Sequence, residues 1–249
     1  MTISQFIQQL SETPALWITV ILTLGVILVN GWTDAPNAIA TCVATRAMKP
    51  RNAIAMAAVF NFLGVLVMTL LSPKVAETIY NMVDFGSNAH EASIALSAAM
   101  FAIVVWAVLA WAFGIPTSES HALIAGITGS AIAMHNNLDG VNGAEWGKVL
   151  FGLVFSLAIG FALGYAVTKL IQRLCRRMNY RKANGFFDKG QVVAAAGTAF
   201  MHGAQDGQKF MGVFLLGLAL AQGNVSPGVV NVPVWLMILC SLVMAFETS

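Results

Sequence analysis

Charge is what this sequence has least of. Asp, Glu, Lys and Arg make up 10% of its 249 residues, where soluble domains carry roughly 25%. So few charges cannot cover a water-facing surface. With 58% hydrophobic residues and a mean hydropathy of +0.77, the chain reads as a polytopic membrane protein. Cysteine is also scarce. Cys42, Cys175 and Cys240 lie far apart with no CxxC, which gives neither a disulfide framework nor a metal cluster. The first fourteen residues, MTISQFIQQLSETP, hold no Lys or Arg. Without a basic n-region they do not read as a cleaved signal peptide. A Walker loop, a nucleophile elbow, a zinc signature and a basic-aromatic patch for nucleic acid are all missing. The chain therefore reads as no enzyme and no nucleic-acid binder.

What is present is apolar and segmented. A helix crossing the hydrocarbon core needs about 20 apolar residues. Apolar segments run at 14–46, 52–72, 94–134, 148–172, 191–219 and 233–249. They lack the alternation of a membrane barrel, so the spans are helical. Segments 14–46 and 191–219 are long for one span, and polar residues interrupt each. Segment 94–134 is about twice a span and breaks at GIPTSESH, Gly114 to His121. It is either two full helices with a tight turn or a helix plus a re-entrant hairpin.

Arg46, Lys49 and Arg51 share one loop. Lys169, Arg173, Arg176, Arg177, Arg181, Lys182 and Lys189 cluster at another. The positive-inside rule makes both cytoplasmic and puts the N-terminus outside. Segments 73–93 and 135–147 are acidic or neutral, carrying Glu77, Asp84, Glu91, Asp139 and Glu145.

The two interrupted segments share a pattern. Gly31-Trp32-Thr33-Asp34-Ala35-Pro36-Asn37 and Gly203-Ala204-Gln205-Asp206-Gly207-Gln208-Lys209 both read G-x-x-D-x-x-polar. By the charge rule they cross in opposite directions. Paired interruptions of this kind are expected from inverted repeats around a midplane site. A carboxylate at mid-membrane costs on the order of 2.5–3.5 kcal/mol, so Asp34 and Asp206 need a purpose. One purpose is a cation site, with carbonyls of an unwound helix beside the carboxylate. The blander one is an ion pair with Lys209. Thr117, Ser118 and Ser120 follow Pro116, where a helix start points N–H groups at an anion. They equally suit an ordinary helix cap. His202 and Asp206 stand four apart, a spacing that can hold a metal, with no third ligand nearby in the sequence. Asn61 reads as an interhelical hydrogen bond.

The motifs resemble those of the inorganic phosphate transporter (PiT) family. GWTDAPNAIAT is similar to its G-A-N-D-x-x-N-A motif, HGAQDGQKFMG to its second-repeat motif, and GIPTSESHALIAG to its P-T-S-x-S-H hairpin. The resemblance covers nearly the whole chain. It implies an all-α polytopic membrane fold with inverted repeats, broken transmembrane helices and a helical hairpin. The first repeat plus the following helix takes 1–172, a basic cytoplasmic loop takes 173–190, and a second, incomplete repeat takes 191–249. It further implies a secondary transporter in the plasma membrane that imports phosphate by sodium or proton symport. No cofactor is implied. Phosphate is assigned to Asn37, Thr117, Ser118, Ser120, Gln208 and Lys209. The coupling cation is assigned to Asp34, Thr33, Gln205 and Asp206, with sodium at Asp34 and Asp206 the one metal in view.

The sequence departs from the family at Trp32, Thr33 and Gln205, and Glu119 sets a carboxylate inside the hairpin motif. Family members continue into a second hairpin, whereas this chain stops at LVMAFETS. Either the sequence is a truncated product or the missing half-site comes from another copy of the chain, which makes a homo-oligomer one way to complete it. A sulfate permease of the same fold, a truncated non-transporting subunit and an intramembrane metalloenzyme are the alternatives.

Overall fold

The computed structural model describes residues 2–12, 14–86, 88–223 and 231–248, with side chains left aside at 14–15, 32–35 and 180–182. These residues form helices α1 (Ile3–Glu12), α2 (Pro14–Ala44), α3 (Pro50–Leu71), α4 (Lys74–Tyr80), α5 (Ala89–Ala112), α6 (Glu119–His135), α7 (Gly143–Cys175), α8 (Tyr180–Ala221) and α9 (Val234–Glu247). The all-α fold expected from the apolar segments is present. Among the described residues, α3, α5, α7 and residues 16–44 of α2 are long and apolar enough to cross a membrane.

Helix starts follow local chemistry. Pro50 opens α3, where its missing N–H costs nothing. Asn88, Ser118 and Asn142 cap α5, α6 and α7 by accepting from backbone N–H groups of the first turn.

The expected breaks in 14–46 and 191–219 do not occur. Both motifs lie within continuous helix, α2 with Pro36 inside it and α8 across all 42 residues. In α8 the reason is visible. The polar side chains at 206, 208 and 209 find partners on neighbouring helices, so the backbone need not unwind to satisfy them. Residues 173–190 are mostly helical too, since α7 runs to Cys175 and α8 starts at Tyr180.

Helix α8 is the axis of the bundle and packs against α2, α3, α4, α5 and α9. The core is built from Met211, Phe214, Leu216 and Leu220 of α8, Leu96 and Met100 of α5, Leu123 and Ile127 of α6, and Leu236 and Met244 of α9. Phe6 of α1 stacks on Trp235 with ring centroids 5.0 Å apart. A smaller cluster joins Ala38 and Ile39 of α2 to Ala53 and Ala57 of α3 and Ala199 of α8.

The loops pair off by composition. Asp84 N donates to Gly140 O at 2.9 Å, and His135 Nε2 lies 3.0 Å from Asp84 O. The two acidic or neutral connections therefore share one end of the bundle. Thr45 donates to Gln191 Oε1 at 2.6 Å, which brings the end of α2, beside the 46–51 basic loop, to the early part of α8.

Candidate functional site

Helices α3 and α6 bring polar side chains to the middle of α8. The closest approach is between α3 and α8. A Cβ built on Gly203 would strike the Asn61 carbonyl, and one on Gly64 would strike the Phe200 carbonyl. Glycine at both positions lets the backbones touch, as small residues do in membrane helix pairs. Helices α5 and α6 form an antiparallel hairpin that turns at Gly114, whose φ of 65° suits a residue without Cβ. The hairpin presents Ser120, in the first turn of α6, to Asp206. Asp206 lies near the midpoint of the apolar segment 191–219. The start of α6, just after the hairpin turn, therefore meets α8 near the midpoint of its apolar segment rather than at its end.

At that point a compact charged cluster forms. Lys209 Nζ donates to Asp206 Oδ1 at 2.5 Å and to Ser120 Oγ at 2.5 Å. Ser120 Oγ donates to Asp206 Oδ1 at 3.3 Å. His202 Nε2 stands 3.3 Å from the other oxygen, Oδ2. Asp206 is 5% exposed, and the Lys209 and His202 side chains are 18% and 14% exposed. The ion pair weighed as the bland reading of Asp206 is thus present. It does not stand alone, because a hydroxyl bridges its two ends. A buried cation with a hydroxyl beside it can take an anion, and a buried carboxylate can take a cation.

The other expected site residues divide. Thr117 and Ser118 lie apart from Ser120 on the outer side of the hairpin. With Trp106, Pro116, His121 and Ala125 they line a groove of about 560 Å³. Trp106 Nε1 donates to Thr117 Oγ1 at 2.8 Å, and Ser118 caps α6. The Gln208 amide is committed elsewhere. Its Nε2 donates to Ser72 O at 3.1 Å and its Oε1 accepts from Val75 N at 3.2 Å, which ties α8 to the α3–α4 corner. Asn37 and Gln205 are exposed on α2 and α8. The side chains of Thr33 and Asp34 lie outside the described residues. Glu119 is buried at 1% exposure at the first position of α6. Among the described residues no group of three or more His, Cys, Asp or Glu side chains comes together, so His202 and Asp206 gain no third ligand there.

Sequence reasoning saw His202 only as a weak metal partner and Asn61 only as a helix contact. The structure joins them, with His202 Nδ1 3.2 Å from Asn61 Oδ1. The signal that points to the pair is a buried amide in an apolar span together with a histidine one turn before a buried carboxylate.

Fold and site together define a polytopic helical membrane protein with a charged cluster buried between its helices. A sequence model of the phosphate transporter family matches residues 30–248, and the chain belongs to that family. A probable low-affinity inorganic phosphate transporter of Bacillus subtilis (strain 168) is 35% identical over 230 residues, covering 92% of this chain and 67% of the relative. The protein of the same description from Mycobacterium tuberculosis (strain ATCC 25618 / H37Rv) is 33% identical over 237 residues, covering 94% of this chain and 54% of the relative. A solved structure, "The sodium-dependent phosphate transporter", shares the fold with a TM-score of 0.75 at 18% identity, covering 94% of this chain and 75% of that chain. The chain spans about half to two thirds of the length of the two bacterial relatives. Their names describe transporters, in line with the reading of this chain as no enzyme.

Proposed function

We propose that this chain is a secondary transporter that imports inorganic phosphate with a coupling cation, sodium or proton, by alternating access around the α6–α8 cluster. The observation that carries the reading is the buried Lys209–Ser120–Asp206 triangle at mid-length of α8. Lys209 and Ser120 supply a cation and a hydroxyl for a tetrahedral oxyanion. Asp206 supplies the carboxylate for the cation, and Asp34 of the matching motif is the second. Thr33 and Gln205 are assigned to the cation, and Asn37, Thr117 and Ser118 to the anion. Gln208, whose amide binds Ser72 O and Val75 N, supports the site by fixing α8 rather than by contacting phosphate.

Charge explains why cations must travel with the substrate. Moving one elementary charge across 100 mV is worth about 2.3 kcal/mol, so a divalent phosphate entering an inside-negative cell faces about 4.6 kcal/mol. Two or more cations bound beside it offset this. In this reading the protein sits in the plasma membrane with its N-terminus outside and the basic segments 46–51 and 169–189 in the cytoplasm. The second half of the site comes from an inverted repeat or from another copy of the chain.

The test is labelled phosphate uptake by the chain in proteoliposomes, with an inward sodium gradient, with a pH gradient, and with excess sulfate. Uptake driven by either gradient and resistant to sulfate is expected. Asp206→Asn and Asp34→Asn should each abolish coupled uptake. Full transport by both variants would sink the assignment, and uptake blocked by sulfate would move the substrate to that anion.

A further inference from the structure

We propose that Asn61 and His202 are positioning residues that hold the Asp206 carboxylate in the orientation the site needs. This rests on the transport reading above. A partly buried chain of side chains fixes where the hydrogens lie.

The chain starts at Thr248. Its hydroxyl donates to Met244 O at 2.8 Å, which uses its one hydrogen. Thr248 Oγ1 can then only accept from Asn61, at 2.7 Å, so the NH₂ end of the Asn61 amide faces Thr248. The carbonyl end, Oδ1, is left facing His202 Nδ1 at 3.2 Å. A carbonyl oxygen has lone pairs and no hydrogen, so Nδ1 must carry the hydrogen of that bond. With Nδ1 committed, the ring presents Nε2, and only Nε2, to Asp206 Oδ2. Nε2 is buried and makes no hydrogen bond of its own among the described residues. Its 3.3 Å contact with Asp206 Oδ2 holds the carboxylate when a hydrogen lies between the two atoms, carried by Nε2 or by the carboxyl.

A histidine four residues before an aspartate on a helix can swing away from it. Here it cannot. Asn61 is 1% exposed, and Gly203, next to His202, packs on the Asn61 backbone carbonyl. The helix contact that seats Asn61 also seats the ring. The two carboxylate oxygens are thereby divided, Oδ2 facing His202 and Oδ1 facing Lys209 and Ser120. Orientation by an outer partner of this sort is how metal-binding and catalytic histidines are held elsewhere. In this site the oriented group is the carboxylate, and through it Lys209.

Two measurements on the chain in lipid nanodiscs and proteoliposomes test this. The first is nitrogen NMR of histidine-labelled protein, with the His202 signal assigned by its loss in His202→Gln. Nδ1 should carry the hydrogen in the unsubstituted protein, and Asn61→Leu should remove that preference. The second is exchange of labelled phosphate across the membrane, which needs no coupling gradient. His202→Phe keeps a ring of similar size and removes both nitrogens. Loss of a contact to a charged group corresponds to about tenfold or more, so the half-saturating phosphate concentration should rise by about that factor. The maximal exchange rate should stay within about threefold. His202→Gln, which restores a polar group at the same reach, should recover most of the shift. Asn61→Leu should move half-saturation in the same direction, and adding it to His202→Phe should make nothing worse, because the two act in series.

A His202 Nδ1 without hydrogen overturns the proposal, as does an unchanged half-saturation in folded His202→Phe. If His202→Phe fails to fold, His202→Gln and Asn61→Leu carry the same comparison. If the unsubstituted protein exchanges no phosphate, the transport reading falls, while the NMR result still judges the positioning.

Discussion

Helices α7 and α8 are both long, both largely apolar and adjacent in the chain, yet they live in different surroundings. Helix α7 has no buried residue over 33 positions, and Phe155, Leu157, Phe161 and Leu163 point away from the described fold. Helix α8 buries Phe210, Met211, Val213, Phe214, Leu216 and Leu220, and with them Asp206 and Gln208. Apolarity alone picks out α7 as a span and passes over α8. A helix surrounded by hydrocarbon must be apolar on every side. One surrounded by other helices can carry charge, provided each charge has a partner. The more polar helix is therefore the more buried one, and it holds the candidate site.

Substitutions break this comparison most sharply at the cluster. Asp206→Asn or Lys209→Gln leaves one buried partner uncompensated and should cost about 3–5 kcal/mol. The double variant should recover much of that stability without recovering phosphate uptake. Thermal unfolding in detergent beside an uptake assay reads both. Truncating the core face of the same helix, Leu216→Ala, should cost about 2–5 kcal/mol, measured by the same unfolding transition.

Glycine gives the contrast at a smaller scale. Gly203→Ala forces α3 and α8 apart, because its Cβ would meet the Asn61 backbone. The expected cost is about 1–3 kcal/mol. Gly160→Ala in α7 meets nothing within 4 Å and should stabilise by about 0.5–1 kcal/mol through helix propensity. Matched melting curves of the two variants should move in opposite directions. The smallest effect belongs to Phe161→Ala in α7, within about 0.5 kcal/mol. A loss above about 2 kcal/mol there would mean that α7 has a packing partner, and the comparison would have to be redrawn.

Much of this was legible in the sequence. The apolar segments locate the helices, and Pro50, Asn88, Ser118 and Asn142 mark helix starts by chemistry that local sequence carries. Asp206 and Lys209 stand three apart, which places them on one helix face. What misled was the polar motif itself. Polar residues within 31–37 and 203–209 suggested unwound backbone, but in α8 the Ser120 side chain of α6 and backbone groups at the α3–α4 corner satisfy them and the helix continues. The hydroxyl run is divided by the fold. Thr117, Ser118 and Ser120 lie within four residues, yet the start of α6 turns Ser120 toward α8 and leaves Thr117 and Ser118 on the outer groove. Gln208 sits between two site residues in sequence and points instead to Ser72 and Val75.

By itself the sequence determined the class of protein, the number and rough extent of its apolar helices, and which few residues are too polar for the membrane without a reason. Those follow from composition and local spacing, since transfer into hydrocarbon is a property of each residue and each turn. Only the tertiary structure decided which polar residues meet. Asn61 finds His202 across 141 residues of sequence, and Ser120 finds Asp206 across 86. A partner at that distance is set by how helices pack, through glycines that let backbones touch and a hairpin that brings the start of α6 to α8, and no local pattern encodes it.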